Sequence, residues 1–132
     1  MPALRTIVVD DHAELRKFLR SVLEKTGCVV IGEASDGLQA VEQAQEMQPD
    51  LILLDLSLPK LNGMDAGRRI RKLSPNSKIV FLSQDASLEI VQAALRFGAA
   101  GYMLKSDATD LPRAIEAILQ GEIFVSDRAQ RP

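Results

Sequence analysis

The chain lacks tryptophan, and its 132 residues include a single cysteine, Cys28. One cysteine excludes an internal disulfide, and its place in the apolar run CVVI predicts a small buried side chain rather than a reactive thiol. No apolar run approaches the roughly 18 residues of a membrane-spanning helix. The N-terminus MPALRTIVVDD has no signal-peptide pattern. We therefore expect a cytoplasmic protein that does not bind membranes.

A large excess of charge of one sign is also missing. The chain has 16 Lys and Arg residues against 18 Asp and Glu residues, a formal net charge of −2 at pH 7. This balance gives no general attraction to nucleic acid or to anionic membranes. We therefore expect that the domain does not contact nucleic acid directly. Its 46% of hydrophobic residues are enough for the core of one soluble domain.

Five short apolar runs recur along the chain. Each is too short for a helix and rich in Val, Ile or Leu, which is typical of strands buried on both faces. Helical periodicity follows each run, so we predict an α/β fold with five helices around a doubly wound five-stranded parallel sheet. The folded domain is predicted to span 1–121, with the start of a C-terminal linker at 122–132. The runs are TIVV (6–9), CVVI (28–31), LILL (51–54), KIVFL (78–82) and GYML (101–104).

Polar residues follow four of these runs at the point where each run ends. They are Asp10 and Asp11, then Asp55, Ser83 and Lys105. The carboxyl ends of parallel strands meet at one edge of a sheet, which is where ligands bind in open α/β folds. Taken singly, Asp11 could cap a helix, Ser83 could be a turn residue and Lys105 could lie on the surface. Together they predict one functional site.

The chemistry of this set favours phosphoryl transfer. Two carboxylates about 5 Å apart repel by roughly 3 kcal/mol at an effective dielectric near 20, so clustered acids need a cation. Oxygen ligands suit Mg²⁺, with Mn²⁺ as an alternative. A lysine and a hydroxyl opposite the metal are suitable partners for a phosphoryl group, and one carboxylate could then be the nucleophile.

Four motifs resemble a known family in order and spacing: VVDDH (8–12), LLDLSLPKLNGM (53–64), FLSQD (81–85) and GYMLK (101–105). The family is the receiver domain of two-component response regulators, and the resemblance runs from Leu4 to about Gln120. It implies the flavodoxin-like receiver fold with strand order 2-1-3-4-5. It also implies a phosphorylation-dependent signalling domain that catalyses only its own phosphorylation and dephosphorylation.

The resemblance assigns a role to each acidic residue of the predicted site. Asp55 would be the phosphoacceptor and would receive the phosphoryl group from a phosphohistidine of a sensor histidine kinase. Asp11 and Asp55 would bind Mg²⁺ through their carboxylates, with Asp10 binding directly or through water. The backbone carbonyl of Ser57 would complete the ligands that the protein supplies.

The resemblance also implies a switch. Lys105 would pair with the phosphoryl group, and Ser83 would hydrogen-bond it. Movement of Ser83 toward the phosphate would open space for the aromatic ring of Tyr102 to turn inward. This would change the surface of the fourth helix, fifth strand and fifth helix that partners bind.

The segments RFGAAGYMLKSD and ILQGEIFVS resemble the NarL/FixJ (LuxR-type) branch of the family. In that branch a helix-turn-helix DNA-binding domain follows the receiver, and no such pattern is present here. We expect a receiver fragment of a longer transcription regulator, with a stand-alone receiver as the alternative. DNA would then be bound by the output domain, and a homodimer is a further expectation.

The sequence departs from the family pattern at two positions. Ser106 follows Lys105 where proline, often with a cis bond, is usual; we predict a trans bond, because a cis non-proline bond costs about 2.5–4 kcal/mol. Gln84 stands where small or apolar residues are common, and its amide could slow or assist attack by water. The loop residues Pro59 and Gly63 match the family, as a stiffening proline and a glycine for a tight turn into the third helix.

Other charged residues have simpler interpretations. His12 is predicted to lie on the surface at the start of the first helix rather than to bind a metal. Arg16, Lys17 and Arg20 are predicted to face solvent mostly, with a contribution to kinase docking implied by the resemblance. The basic cluster Arg68, Arg69, Arg71 and Lys72 is predicted to be a solvated helix face.

Two competing functions stay open at this stage. The first is a degenerate receiver that works as an interaction module without phosphorylation. The second is a Mg²⁺-dependent aspartyl phosphatase of the haloacid-dehalogenase type, which expects an Asp-x-Asp pattern after the first strand. The chain has Asp10–Asp11–His12 there instead.

Overall fold

The computed structural model describes residues 3–85 and 87–130, which form alternating strands and helices. Two short 3₁₀ helices, Lys105–Asp110 and Asp127–Gln130, were not predicted. The strands are β1 (Leu4–Val9), β2 (Cys28–Ala34), β3 (Leu51–Asp55), β4 (Lys78–Ser83), β5 (Gly101–Leu104) and β6 (Phe124–Val125). The helices are α1 (Ala13–Lys25), α2 (Gly37–Met47), α3 (Gly63–Leu73), α4 (Leu88–Phe97) and α5 (Leu111–Leu119).

The sheet is parallel, with strand order β2-β1-β3-β4-β5-β6. The predicted doubly wound fold and the order of the first five strands are confirmed, but the predicted number of five strands is wrong. The sixth strand escaped prediction because two residues are too few for a periodic pattern. Gly101 leaves room for β6 beside β5, since a Cβ at position 101 would lie 2.9 Å from the backbone oxygen of Phe124.

Helices cover both faces of the sheet, as the unbroken apolar strands predict. On β3, Ile52 and Leu54 pack in the core beneath α2, α3 and α4. Leu51 and Leu53 point to the opposite core, which α1 and α5 close. All five residues of β3 are buried, so the acid that ends it, Asp55, lies between two apolar layers.

Two local predictions, the trans bond before Ser106 and the burial of Cys28, are confirmed. The peptide bond between Lys105 and Ser106 is trans, since no cis peptide bond occurs among the described residues. Cys28 is buried, with 4% of its surface exposed. No helix within 3–85 and 87–130 is both long enough and apolar enough to cross a membrane. The predicted domain boundary at Gly121 stays a prediction, and the residues that follow it include β6.

Candidate functional site

Lys105 lies between two buried carboxylates at the carboxyl edge of the sheet. Its Nζ is 2.8 Å from Asp10 Oδ2 and 3.0 Å from Asp55 Oδ2. The two acids are neighbours because Val9 of β1 pairs with Leu54 of β3. The lysine reaches them from β5 across the end of β4. Only 13% of the lysine side chain is exposed, and both acids are almost fully buried.

Asp11 and His12 stand at the open side of this group. Asp11 has 36% of its side chain exposed, and His12 has 66%. His12 Nδ1 lies 3.1 Å from Asp11 Oδ1 and 3.2 Å from Asp10 Oδ1, and the His12 amide donates to Asp10 Oδ1 at 2.8 Å. The predicted surface position of His12, directly before α1, is confirmed. Even so, ligand atoms of Asp10, Asp11 and His12 lie within 4.8 Å of one another.

A cavity of about 220 Å³ opens over these groups. Most of the predicted site residues are brought together around it. Ser57 is held against the acceptor, since its amide donates to Asp55 Oδ1 at 2.9 Å. Gln84, the departure noted in the sequence, also lines this cavity. The lining residues are Asp11, His12, Asp55, Ser57, Gln84 and Lys105.

Electrostatics differentiates the two buried acids. Burial raises the pKa of Asp55, and the charge of Asp10 acts in the same direction, against the Ser57 amide and Lys105. Burial also opposes ionisation of Asp10, but Lys105 and His12 outweigh it and hold the Asp10 pKa below its ordinary value. For Lys105, burial favours the neutral amine, yet hydrogen bonds and charges from both acids raise its pKa. The carboxylate of Asp55 is therefore more basic than that of Asp10, and it lies beside the ion pair that Asp10 forms with Lys105.

The donor set fits a hard divalent cation. The carboxylates of Asp10 and Asp55 contact the ammonium of Lys105, and a third carboxylate, from Asp11, lines the same cavity. The group therefore carries a negative excess that a cation would offset. Oxygen ligands and an open side with room for water match the preference of Mg²⁺. The Ser57 backbone stands at the same cavity and could add a carbonyl oxygen.

Ser83 and Tyr102 form a second group, linked through Asp85. The Asp85 amide donates to Ser83 Oγ at 2.9 Å, and the Tyr102 hydroxyl donates to the Asp85 carbonyl. Burial raises the Tyr102 pKa, while Ser83 acts against that shift. The Tyr102 ring is fully buried, so it already occupies the inward position that the resemblance associates with switching. Ser83 lines a hollow beside Ser57 rather than the cavity above Asp55.

Gly63 allows close packing where the chain turns into α3. A Cβ at this position would lie 2.1 Å from the backbone oxygen of Asp55 and 2.6 Å from Leu56 Cα. Its φ is not among the positive values of the described residues, so glycine is needed at this tight turn for its lack of a side chain and not for a left-handed conformation. The Gly63 amide donates to the Leu56 carbonyl at 2.9 Å. The start of α3 therefore presses directly on the backbone of the acceptor.

The loop after Asp55 is also held from α2, which the sequence did not predict. The Gly37 amide donates to the Pro59 carbonyl at 3.3 Å. Lys60, with a left-handed φ of 67°, has its Nζ 3.6 Å from Asp36 Oδ2. A Cβ on Gly37 would lie 1.8 Å from the Leu61 carbonyl oxygen, so only glycine fits there. These contacts fix the segment that carries Ser57.

Two more residues that touch the site were missed. Arg16 was predicted to face solvent, yet its Nη1 donates to the backbone carbonyl of Asp10 at 2.7 Å. Ser126 lies in the predicted linker, yet it is fully buried and its Oγ accepts from the Leu104 amide at 3.0 Å. Apolar periodicity marks neither residue, because each reaches the site through a side-chain hydrogen bond to the backbone.

Comparison with known proteins agrees with the family resemblance seen in the sequence motifs. A profile of the response regulator receiver domain matches residues 6–116. The chemotaxis protein CheY of Thermotoga maritima is 38% identical over 101 residues, which cover 76% of this chain and 84% of that protein. The nitrate/nitrite response regulator protein NarL of Escherichia coli is 37% identical over 123 residues, which cover 92% of this chain. The same alignment covers 57% of NarL, so the chain spans little more than half of that relative.

A solved structure agrees over nearly the whole chain. The crystal structure of a LuxR-family two-component response regulator from Aurantimonas sp. SI85-9A1 superposes with a TM-score of 0.89 at 34% identity. The match covers 96% of this chain and 92% of that one. The structural match therefore continues past the last predicted strand, which ends at residue 104.

Proposed function

Because the chain belongs to the response regulator receiver domain family, we propose that it is a phosphorylation-dependent switch whose acceptor is Asp55. The observation that carries the proposal is the environment of this carboxylate. It is buried at the end of β3, has a raised pKa, opens on a cavity and lies 3.0 Å from Lys105 Nζ. A more basic carboxylate beside a fixed cation suits nucleophilic attack on phosphorus.

The transfer step involves one bond exchange. An oxygen of Asp55 attacks the phosphorus of a phosphohistidine on a sensor histidine kinase. The O–P bond forms, the P–N bond breaks, and the imidazole leaves with the electron pair of that bond. Lys105 stabilises the charge on the phosphoryl oxygens, from a position already beside Asp55 Oδ2. The Ser83 hydroxyl donates to the same oxygens after release from Asp85.

A divalent metal fits this scheme as a resident cofactor. Asp10, Asp11 and Asp55 would hold Mg²⁺ through carboxylate oxygens, and Ser57 would add its backbone carbonyl; Mn²⁺ is the alternative. When bound, the metal offsets the negative charge of the phosphoryl group and of the acidic cluster. The contribution of the chain is to hold these oxygens at the ends of two neighbouring strands, β1 and β3, which removes the need to gather them during the reaction.

The switch is proposed to run through Ser83 and Tyr102. Ser83 Oγ is engaged by the Asp85 amide, and Tyr102 donates to the carbonyl of the same residue. If Ser83 turns to the phosphoryl group, Asp85 loses the first of these two hydrogen bonds. That segment leads directly into α4, whose N-cap is Ser87. Phosphorylation would thereby change the α4 and β5 surface.

The biological setting proposed is transcription regulation in the cytoplasm. It is supported by similarity to NarL and to a LuxR-family regulator. We expect DNA to be contacted by an output domain rather than by these residues, whose net charge is −2. A homodimer in the active state stays a prediction.

Labelling with a small phosphodonor tests the acceptor and the metal together. The chain is incubated with acetyl phosphate, with MgCl₂ or with EDTA, and its intact mass is measured. We expect one phosphoryl group in MgCl₂, little in EDTA and none in Asp55→Asn. Asp65→Asn is a matched control, because Asp65 is an exposed acid at the start of α3.

The same labelling, together with a spectral titration with Mg²⁺ and a phosphate-release assay, decides between the competing functions. Labelling of Asp55→Asn at the unmutated level contradicts the proposal. No labelling of the unmutated chain, together with no spectral response to Mg²⁺, favours a degenerate receiver that works as an interaction module. Steady release of phosphate from simple phosphate monoesters would support the aspartyl phosphatase instead.

A further inference from the structure

Arg16 connects α1 and β2 to the turn that carries the acidic pair. Only 19% of its side chain is exposed. Its Nη1 donates to the Asp10 carbonyl at 2.7 Å, and its Nε donates to Glu33 Oε1 at 3.1 Å. A guanidinium is planar and donates in fixed directions, so two such bonds define its position. Arg16 is therefore an anchored group and not a free surface charge.

The bond to the Asp10 carbonyl acts on both acids at once. The carbonyl belongs to the peptide plane that joins Asp10 to Asp11, and this plane is rigid. Holding its oxygen restricts rotation of the Asp11 amide and Cα, and with them the direction of the Asp11 side chain. Other bonds fix the neighbouring groups: the Asp10 amide donates to Ala34 at 3.1 Å, and the His12 amide donates to Asp10 Oδ1. Arg16 supplies the bond to the plane between the two acids.

We propose that Arg16 is a positioning residue that sets the geometry in which Asp10 and Asp11 bind a divalent cation. Glu33 of β2 anchors its guanidinium, and the Asp10 carbonyl is the group that it holds. The inference rests on the proposed function, because it assumes that this acidic pair binds a metal. Loss of a group that orients metal ligands commonly weakens metal affinity about 10- to 100-fold.

The direction in which Mg²⁺ affinity changes when Arg16 is replaced distinguishes a positioning role from a simple effect of its charge. Arg16 brings a positive charge near a site for a cation, so its charge alone disfavours metal binding. Removing only the charge would therefore tighten binding or leave it unchanged. Removing a positioning group weakens binding, because the acids then sample orientations that do not bind the metal.

Arg20 provides a matched control one turn further along α1. Its Nη1 donates to the other oxygen of the same acid, Glu33 Oε2, at 2.8 Å, and its Nε donates to Glu24 at 2.9 Å. The bonds of Arg20 go to side chains, whereas one bond of Arg16 goes to the Asp10 backbone. The two arginines thus share charge, helix and partner, and differ in the contact that matters here.

The test is a titration of the ¹⁵N-labelled full chain with MgCl₂, followed by amide chemical shifts. Arg16→Met keeps the apolar stem and removes both hydrogen bonds, and we expect about tenfold weaker Mg²⁺ binding. Arg20→Met should bind Mg²⁺ as the unmutated chain does or slightly more tightly. The same spectra show whether each variant is folded. If Arg16→Met does not fold, Arg16→Lys serves instead, because an ammonium cannot reach both partners and about threefold weaker binding is expected.

The possible results distinguish failure of the positioning role of Arg16 from failure of the proposed function. Equal or tighter Mg²⁺ binding by the folded Arg16 variant overturns the positioning role and leaves the proposed function intact. Equal weakening by both arginine variants also overturns it, because the shared Glu33 contact would then explain the loss. Absence of Mg²⁺ binding by the unmutated chain contradicts the proposed function, and the inference about Arg16 is overturned with it.

Discussion

Lys105 Nζ lies 3.0 Å from Asp55 Oδ2, and this contact joins β5 to β3 across the end of β4. The same ammonium lies 2.8 Å from Asp10 Oδ2. One buried ammonium therefore contacts two buried carboxylates and offsets part of their charge, so the stability of the site depends on it.

Replacing Lys105 with methionine should destabilise the fold. The change leaves two buried carboxylates without their cation, which typically costs about 3 kcal/mol. Urea denaturation in EDTA at pH 7 measures the loss. Adding MgCl₂ should recover part of it, because a divalent cation can take over the neutralising role. An unchanged free energy of unfolding in EDTA would contradict the assigned charge balance.

The two buried acids should respond to amide substitution with opposite signs. The folded-state pKa of Asp55 is raised, so its favourable contribution exists only at low pH and is lost as pH rises through that pKa. The folded-state pKa of Asp10 is lowered, so its contribution is present at neutral pH and is lost as pH falls through that pKa. At pH 7 without metal, Asp55→Asn should stabilise the fold and Asp10→Asn should destabilise it.

Urea titrations of both variants across acid and neutral pH check this pair of signs. The difference between Asp10→Asn and the unmutated chain should shrink as the buffer becomes more acidic. Shifts of the same sign for both variants at pH 7 would show that the two carboxylates are not electrostatically distinct.

Gly63→Ala should disrupt the acceptor loop. The added methyl group would lie 2.1 Å from the Asp55 carbonyl oxygen, so the backbone must move to make room for it. We expect a loss of about 3 kcal/mol in the free energy of unfolding, together with slower labelling of Asp55. Gly32→Ala is the control, since the atoms nearest to its methyl group belong to the side chains of Gln43 and Met47 and not to the backbone. Similar losses for both variants would contradict the steric role of Gly63.

Ser126→Ala should weaken the anchorage of the lysine segment. The variant leaves the Leu104 amide, one residue before Lys105, without its side-chain acceptor. A lost buried hydrogen bond of this kind costs about 1–2 kcal/mol. Amide hydrogen exchange at Leu104 should accelerate, whereas Ser21→Ala, on an exposed helix face, should leave it unchanged. Unchanged protection of Leu104 in the Ser126 variant would show that the Ser126 hydroxyl does not support this segment.

The sequence predicts those parts of the site that follow from strand order. Hydrophobic runs locate β1, β3, β4 and β5, and parallel topology then brings Asp10, Asp55 and Lys105 to one edge. That reasoning needs only the period of the pattern and the residue that ends each run.

The remaining features could not be predicted because they depend on contacts between distant segments. Arg16 has the sequence context of a solvated helix residue, and only the path of β2 brings Glu33 beside it. β6 has two residues and no periodicity, and its place depends on Gly101 and the buried Ser126. The inward ring of Tyr102 is a choice of rotamer, which apolar patterning does not determine.

Chemical trapping of the phosphoryl group tests the central claim most directly. An acyl phosphate on aspartate is reduced by borohydride to homoserine, which peptide mass mapping locates to a single position. After acetyl phosphate and MgCl₂ treatment of the unmutated chain, we expect homoserine at position 55 and at no other aspartate. Homoserine at another position, or labelled protein without homoserine at 55, would contradict the assignment of Asp55 as the acceptor.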